Sequence, residues 1–231
     1  PPRMRSETTS ADPLGIADPE GLGAQELVSL LVERFGDDLV LACSFQKEET
    51  VLLDMLFAAS ASARVFALDT HVLFEETYAY WQAVEERYAT TIEVFDGPSL
   101  GKQTAAHGPA LWERDQDRCC AIRKMEPLGR ALADRKAWIT GVRRDQSPTR
   151  ANAPKFGWDE AHGLWKASPL ADWDDERCWE YIRERDLPAN ALHDKGYASI
   201  GCIHCTMPGS GREGRWSGSA KTECGLHLPT T

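Results

Sequence analysis

The strongest constraint on this chain is an alternation. Between residues 38 and 143, short apolar runs take turns with segments of helical period. The run at 38–45, DLVLACSF, reads as a buried strand, and KEETVLLDMLFAA at 47–59 as a helix. ARVFALDT at 63–70 repeats the strand pattern, FEETYAYWQAVEERY at 74–88 the helix and TIEVFD at 91–96 the strand. Strands separated by helix-length crossovers pair in parallel, with right-handed connections. The expected class is therefore α/β, a parallel sheet flanked by helices.

The rest of the chain extends that frame. Residues 23–36 place Leu27, Leu30, Leu31 and Phe35 on one helical face. Residues 117–134 read as one helix and 137–143 as a further strand. Residues 144–162 read as a polar loop broken by Pro148 and Pro154, and 174–186 as a helix with Asp174 as N-cap. Three parts are expected: a loose lead-in at 1–22, one α/β domain at 23–206, and a mobile C-terminal tail at 207–231 rich in Gly, Ser and Pro.

Composition narrows the function classes. The 231 residues carry 26 basic and 36 acidic side chains, a net charge of −10, which disfavours a general nucleic-acid binder. No apolar run reaches membrane-spanning length, because Asp54 and Arg64 interrupt the longest. The polar start shows no signal-peptide pattern, so the expectation is a soluble cytoplasmic protein with no membrane partner. Seven cysteines, an odd number, argue for metal ligation or thiol chemistry over a disulfide scaffold.

Ligands of open parallel sheets sit beyond the carboxyl ends of the strands. That rule selects Cys43–Glu49, Asp69–His71 and Arg143–Arg150. The segment SFQKEET at 44–50 joins a strand to a helix whose N-terminal N–H groups suit an anion, but it matches neither phosphate-loop fingerprint.

The cysteines divide by spacing. Cys119 and Cys120 are adjacent, and Cys202 and Cys205 are three apart. Four thiolates suit zinc or an iron–sulfur cluster. On a helix, adjacent side chains diverge by about 100°, so the tandem pair reaches two irons more readily than one ion. Lys124 lies one turn beyond Cys120, either on a solvated face or beside the thiolates and an anionic substrate. Arg143, Arg144 and Arg150 follow a strand, and Arg212, Arg215 and Lys221 lie in the tail. Guanidinium forks match phosphate and sulfate oxygens, although any one of them can be a solvated loop residue. Cys224 sits between Lys221 and His227 in the tail, where a neighbouring cation raises the thiolate fraction. Cys43 and Cys178 read as small core hydrophobes.

These strings resemble a known family. CSF and LDT after the first two strands, CCxxRK, GVRRDQSPTR, GYxSIGCxxCT, GRxGRW and KTECGLH are similar to the sulfonucleotide reductases, in particular the iron–sulfur branch of assimilatory adenylyl-sulfate reductases. The resemblance spans residues 38 to 228. It implies an adenine nucleotide α-hydrolase-like (PP-loop ATPase-like) fold and a [4Fe–4S] cluster on Cys119, Cys120, Cys202 and Cys205. It implies that Cys224 attacks the sulfur of adenylyl sulfate, giving S-sulfocysteine and AMP, and that thioredoxin or a similar dithiol then releases sulfite, in sulfate assimilation and cysteine biosynthesis. Lys124, Arg144, Arg150, Arg212, Arg215 and His227 are the expected contacts to phosphate and sulfate. Ser44 and Phe45 are expected to line the nucleotide, and Asp69 to meet the adenosine.

This chain departs from the family in two places. SFQKEET stands for SFGAED, so Gln46 and Lys47 replace small residues, and His71 follows LDT in place of Gly. Lys47 is a candidate to receive a 3′-phosphate, which keeps phosphoadenylyl-sulfate reduction as the alternative, while the cluster cysteines favour adenylyl sulfate. An ATP pyrophosphatase would need an SGGxDS loop, which is absent. A cluster- or zinc-binding nucleotide sensor would need the four ligands but not Cys224. Self-association is left open.

Overall fold

A computed structural model describes residues 13–227. The elements are α1 (Ala24–Phe35), β1 (Leu39–Cys43), α2 (Lys47–Ala59), β2 (Val65–Asp69), α3 (Glu75–Tyr88), β3 (Glu93–Asp96), α4 (Leu100–His107), α5 (Leu111–Arg114), α6 (Gln116–Cys120), α7 (Glu126–Leu132), β4 (Ala137–Ile139), β5 (Phe156–Asp159), β6 (Leu164–Ala167) and α8 (Asp175–Glu184). The sheet order is β3-β2-β1-β4-β6-β5. Every neighbouring pair is parallel except the β5–β6 hairpin at one edge. This is the parallel sheet flanked by helices that the alternation requires.

Strand alternation explains the two cores. Leu39, Leu41 and Cys43 of β1 face the larger core with Val65 and Ala67 of β2, under α1, α2, α3 and α8. The intervening Val40 and Phe66 face the opposite side, against Leu128, Ala131 and Leu132 of α7. Cys43 and Cys178 are both core residues. Asp174 caps α8 by accepting the Arg177 N–H at 2.8 Å.

Three expectations change. Residues 144–162 are not all loop: they hold β5, whose hairpin partner β6 is the parallel neighbour of β4. Four-residue strands such as FGWD are too short to show a period. The 117–134 helix is interrupted by a π-turn at Ala121–Met125 between α6 and α7. Pro127 has no N–H to give the Arg123 carbonyl, so the α-register cannot run through unbroken. The lead-in is not loose where it is described: Leu14 is fully buried and Glu20 pairs with Arg144. Residues 1–12 of that segment and 228–231 of the tail lie outside the described residues.

Candidate active site

A cavity of about 300 Å³ opens beyond the carboxyl ends of β1, β2 and β4. Its floor begins at Phe45, whose φ of +59° is costly for a residue with a Cβ. The Phe45 ring is buried in the core, stacked on Trp81 at 4.8 Å, and its backbone turn brings Ser44 and the start of α2 to the cavity. Ser44 donates to the Glu49 carboxylate at 2.7 Å, which also accepts the Gln46 N–H. The Lys47 N–H meets His193 Nε2 at 3.2 Å. Two donors at the α2 N-terminus are thus satisfied internally, which leaves less for an outside anion than the sequence suggests.

The same helix end anchors a buried ionic network. Arg143 Nε donates to Glu48 at 3.0 Å, and its other nitrogens reach Asp145 and Asp175 at 2.6 Å and 3.1 Å. Lys47 Nζ lies 2.9 Å from Asp175 and donates to the Ala198 carbonyl at 3.1 Å. Lys47 is therefore committed and is not free for a 3′-phosphate. Burial, reinforced by the Glu48 charge, lifts the Glu49 carboxyl to about 7. Gly141 gives these side chains room, since a Cβ there would collide with Glu49 Oε1 and lie 2.8 Å from Glu48 Cβ, so both would have to shift.

The opposite wall is made by the π-turn and the tail. Lys124 lines both the main cavity and a smaller one bordered by Cys119, Cys120, Cys202 and Cys205. Cys202 donates to Thr70 Oγ1 at 3.3 Å, and Cys205 packs with Cys120, Trp216 and Cys224. Burial raises Cys119 to about 11, and the neighbouring thiols add to it. Among the described residues no three His, Cys, Asp or Glu side chains are arranged to hold a single metal ion. The four thiols border a common space, and as a donor set they fit a thiolate-ligated cluster.

The tail is folded over the cavity. Cys224 is 8% exposed, so this part of the tail is packed down and not the mobile tail that the composition suggests. Apolar packing with Trp216 and Leu226 holds it in place. Burial alone would raise its pKa, but Lys124, the Leu226 N–H, Arg215 and Arg212 bring it below the ordinary thiol value. Arg215 lies across Gly201, where a Cβ would collide with the guanidinium, and over the Trp216 ring at 4.5 Å. His227 is stacked on Trp138 at 5.8 Å. Burial and then Lys166 push its pKa well down, so its ring is neutral.

Two expected residues lie elsewhere. Arg144 turns away and binds the Ala153 carbonyl and Glu20 at 2.8 Å and 2.6 Å. Asp69 does not line the cavity; it accepts from the His71 N–H and the Tyr78 hydroxyl, each at 2.7 Å. Strand alternation presents Phe66, Leu68 and Thr70 in its place. Ser44, Phe45, Lys124, Arg150, Arg212, Arg215, Cys224 and His227 all border the cavity. Arg150 and Arg212, however, already hold a carboxylate: Glu223, which sequence reasoning missed. Its place beside Cys224 was the available signal.

The phosphoadenosine phosphosulfate reductase domain model matches residues 38–208. This chain belongs to the phosphoadenosine phosphosulfate reductase family. It is 47% identical over 216 residues to the phosphoadenosine 5′-phosphosulfate reductase of Gloeobacter violaceus, covering 90% of each chain. It is 44% identical over 211 residues to the adenosine 5′-phosphosulfate reductase of Salinibacter ruber, covering 89% of this chain and 84% of the relative. The crystal structure of phosphoadenylyl-sulfate reductase from Candida auris superposes with a TM-score of 0.71 at 30% identity, over 81% of this chain and 91% of that one. The FMN adenylyltransferase of Candida glabrata shares the fold alone, with a TM-score of 0.58 at 15% identity over 85% and 69% of the two chains. The expected PP-loop ATPase-like architecture is thus present. Within this family the chain is an oxidoreductase acting on a sulfonucleotide. No helix among the described residues is long and apolar enough to cross a membrane.

Proposed function

We propose that this chain reduces adenylyl sulfate to sulfite and AMP, in sulfate assimilation, through a covalent intermediate on Cys224. The observation that carries this reading is the Cys224 thiol closed over a strand-end cavity beside Lys124 and Arg215. The Cys224 thiolate attacks the sulfate sulfur, the S–O bond to AMP breaks, and AMP leaves with that electron pair. A dithiol, thioredoxin or its like, then attacks the Cys224 sulfur, and sulfite departs with the S–S bonding pair. The second thiol of the dithiol closes its disulfide and returns Cys224 as thiolate. Two electrons pass from the dithiol to sulfur.

AMP is a competent leaving group, so the site has mainly to orient the substrate and to neutralise charge. Lys124 and Arg215 lie where sulfate oxygens must approach Cys224. His227, neutral against Trp138, supplies a hydrogen-bonding ring without further charge. Cys119, Cys120, Cys202 and Cys205 would hold a [4Fe–4S] cluster, which when bound would supply a fixed charge distribution beside Lys124.

The alternative substrate carries a 3′-phosphate, and one relative bears that name. The commitment of Lys47 to Asp175 and Ala198 favours adenylyl sulfate. The test is the intact mass of anaerobically purified protein after each nucleotide is added without reductant. A sulfo group mapped to Cys224, formed faster from adenylyl sulfate and removed by reduced thioredoxin, is the expected result. An adduct only from the 3′-phosphorylated nucleotide would reverse the substrate assignment, and no adduct from either would reject the covalent step.

A further inference from the structure

The cations around Cys224 fall into two sets. Lys124 and Arg215 form no ion pair with a carboxylate among the described residues, and both act on the Cys224 thiol. Arg150 and Arg212 are occupied. Glu223 Oε1 accepts from Arg150 Nε at 2.9 Å and from Thr149 Oγ1 at 3.2 Å. Glu223 Oε2 accepts from Arg150 Nη2 at 2.8 Å and from Arg212 Nη2 at 3.1 Å. Four donors fill the roughly four acceptor positions of one carboxylate. The side chains of Arg150 and Glu223 are only 7% and 9% exposed.

We propose that Glu223 is a positioning residue, the latch that holds the tail closed and fixes Cys224 over the cavity, with Arg150 and Arg212 as its seat. The proposal rests on the reading of Cys224 as nucleophile. Glu223 is the immediate neighbour of Cys224, so its anchoring restricts the thiol directly. The seat is itself rigid: Arg150 Nη1 donates to Gln146 at 2.6 Å, and Gln146 donates to the buried Glu48 at 3.2 Å. The latch therefore ties the mobile-looking end of the sequence to the ionic network at the start of α2. The sulfate is left to Lys124 and Arg215. A competing arrangement has Glu223 standing in for the substrate's own anion, and it predicts tighter substrate binding once the carboxylate is removed.

Two readouts on the full chain, purified anaerobically, decide between them. The first is pulse labelling with N-ethylmaleimide in the absence of substrate, mapped by peptide mass. Glu223→Ala should label Cys224 about tenfold faster than the native protein, by populating the open tail, with Glu223→Gln in between. Cys43 and Cys178 must stay unlabelled, which separates tail opening from unfolding. The second is single-turnover formation of the sulfo adduct across adenylyl sulfate concentrations. Glu223→Ala should lower the saturating rate about tenfold through lost orientation, with the half-saturating concentration nearly unchanged. Cys224 labelling indistinguishable from native in both variants would overturn the latch. So would a lower half-saturating concentration at an undiminished rate, which would make Glu223 a stand-in for the substrate anion. If native protein forms no adduct with any sulfonucleotide, the nucleophile reading fails, while the labelling comparison still decides whether Glu223 holds the tail.

Discussion

The two walls of the cavity treat charge in opposite ways. At the start of α2, Lys47 and Arg143 face Glu48, Asp145 and Asp175, so each cation is matched by carboxylates. Across the cavity, Lys124 and Arg215 have no carboxylate partner among the described residues and flank a thiol. One wall is a scaffold whose charges are spent on one another. The other holds positive charge that no carboxylate among the described residues neutralises. The difference shows that a count of basic residues near strand ends does not locate an anion site. What locates it is which of those residues remain uncommitted after folding.

The comparison can be broken first on the matched wall. Glu48→Ala leaves Arg143 and Lys47 buried with too little counter-charge, and should destabilise the protein by about 3–5 kcal/mol in urea titration. On the opposite wall, Lys124→Met should lower the sulfo-adduct rate on the order of 10²–10³-fold. Its melting temperature should stay near the native value, because no internal ion pair is lost. If Lys124→Met proves as destabilising as Glu48→Ala, the two walls are not distinct.

Two smaller effects sharpen the picture. Gly141→Ala pushes a methyl group against Glu49 and should destabilise by about 1–3 kcal/mol. The smallest effect is expected from Glu49→Gln. The Glu49 pKa is raised from its ordinary 4.5 to about 7 by burial and Glu48. Its protonated form therefore belongs to the folded state. The stability it confers is whole below pH 4.5 and is lost as pH rises through about 7. Glu49→Gln should flatten the melting temperature across that window and raise it at pH 8. An unchanged pH profile would mean that Glu49 is ionised in the folded protein.

Local pattern made α2, α3 and the first three strands legible, because short apolar runs alternate there with helix-length segments and each supports the reading of the next. The thiol group was legible from spacing, since CC and CxxC are uncommon pairings. The commitments of the cations were not. Arg143, Arg144 and Arg150 look alike in GVRRDQSPTR, yet one is spent on Glu48, one on Glu20 and one on Glu223. Those partners lie between 73 and 124 residues away in sequence, beyond any local signal. The β5–β6 hairpin was missed for a related reason, since a four-residue strand draws its stability from its neighbours. A loop-rich composition does not make the tail loose, because Trp216, Cys224 and Leu226 pack it down.

The π-turn at Ala121–Met125 has a consequence for how the thiols and the sheet are kept in phase. Downstream of it, Pro127, Leu128, Ala131 and Leu132 are locked into the protein interior. Upstream, Cys119 and Cys120 belong to a different angular frame, offset by the one extra residue that a π-turn accommodates. Deleting a single residue from this turn would rotate the tandem cysteines by about 100° relative to α7, with Pro127 still breaking the hydrogen-bond ladder. The spare residue thus works as a phase shifter, letting one helical rod be dialled for the core at one end and for the thiol cluster at the other.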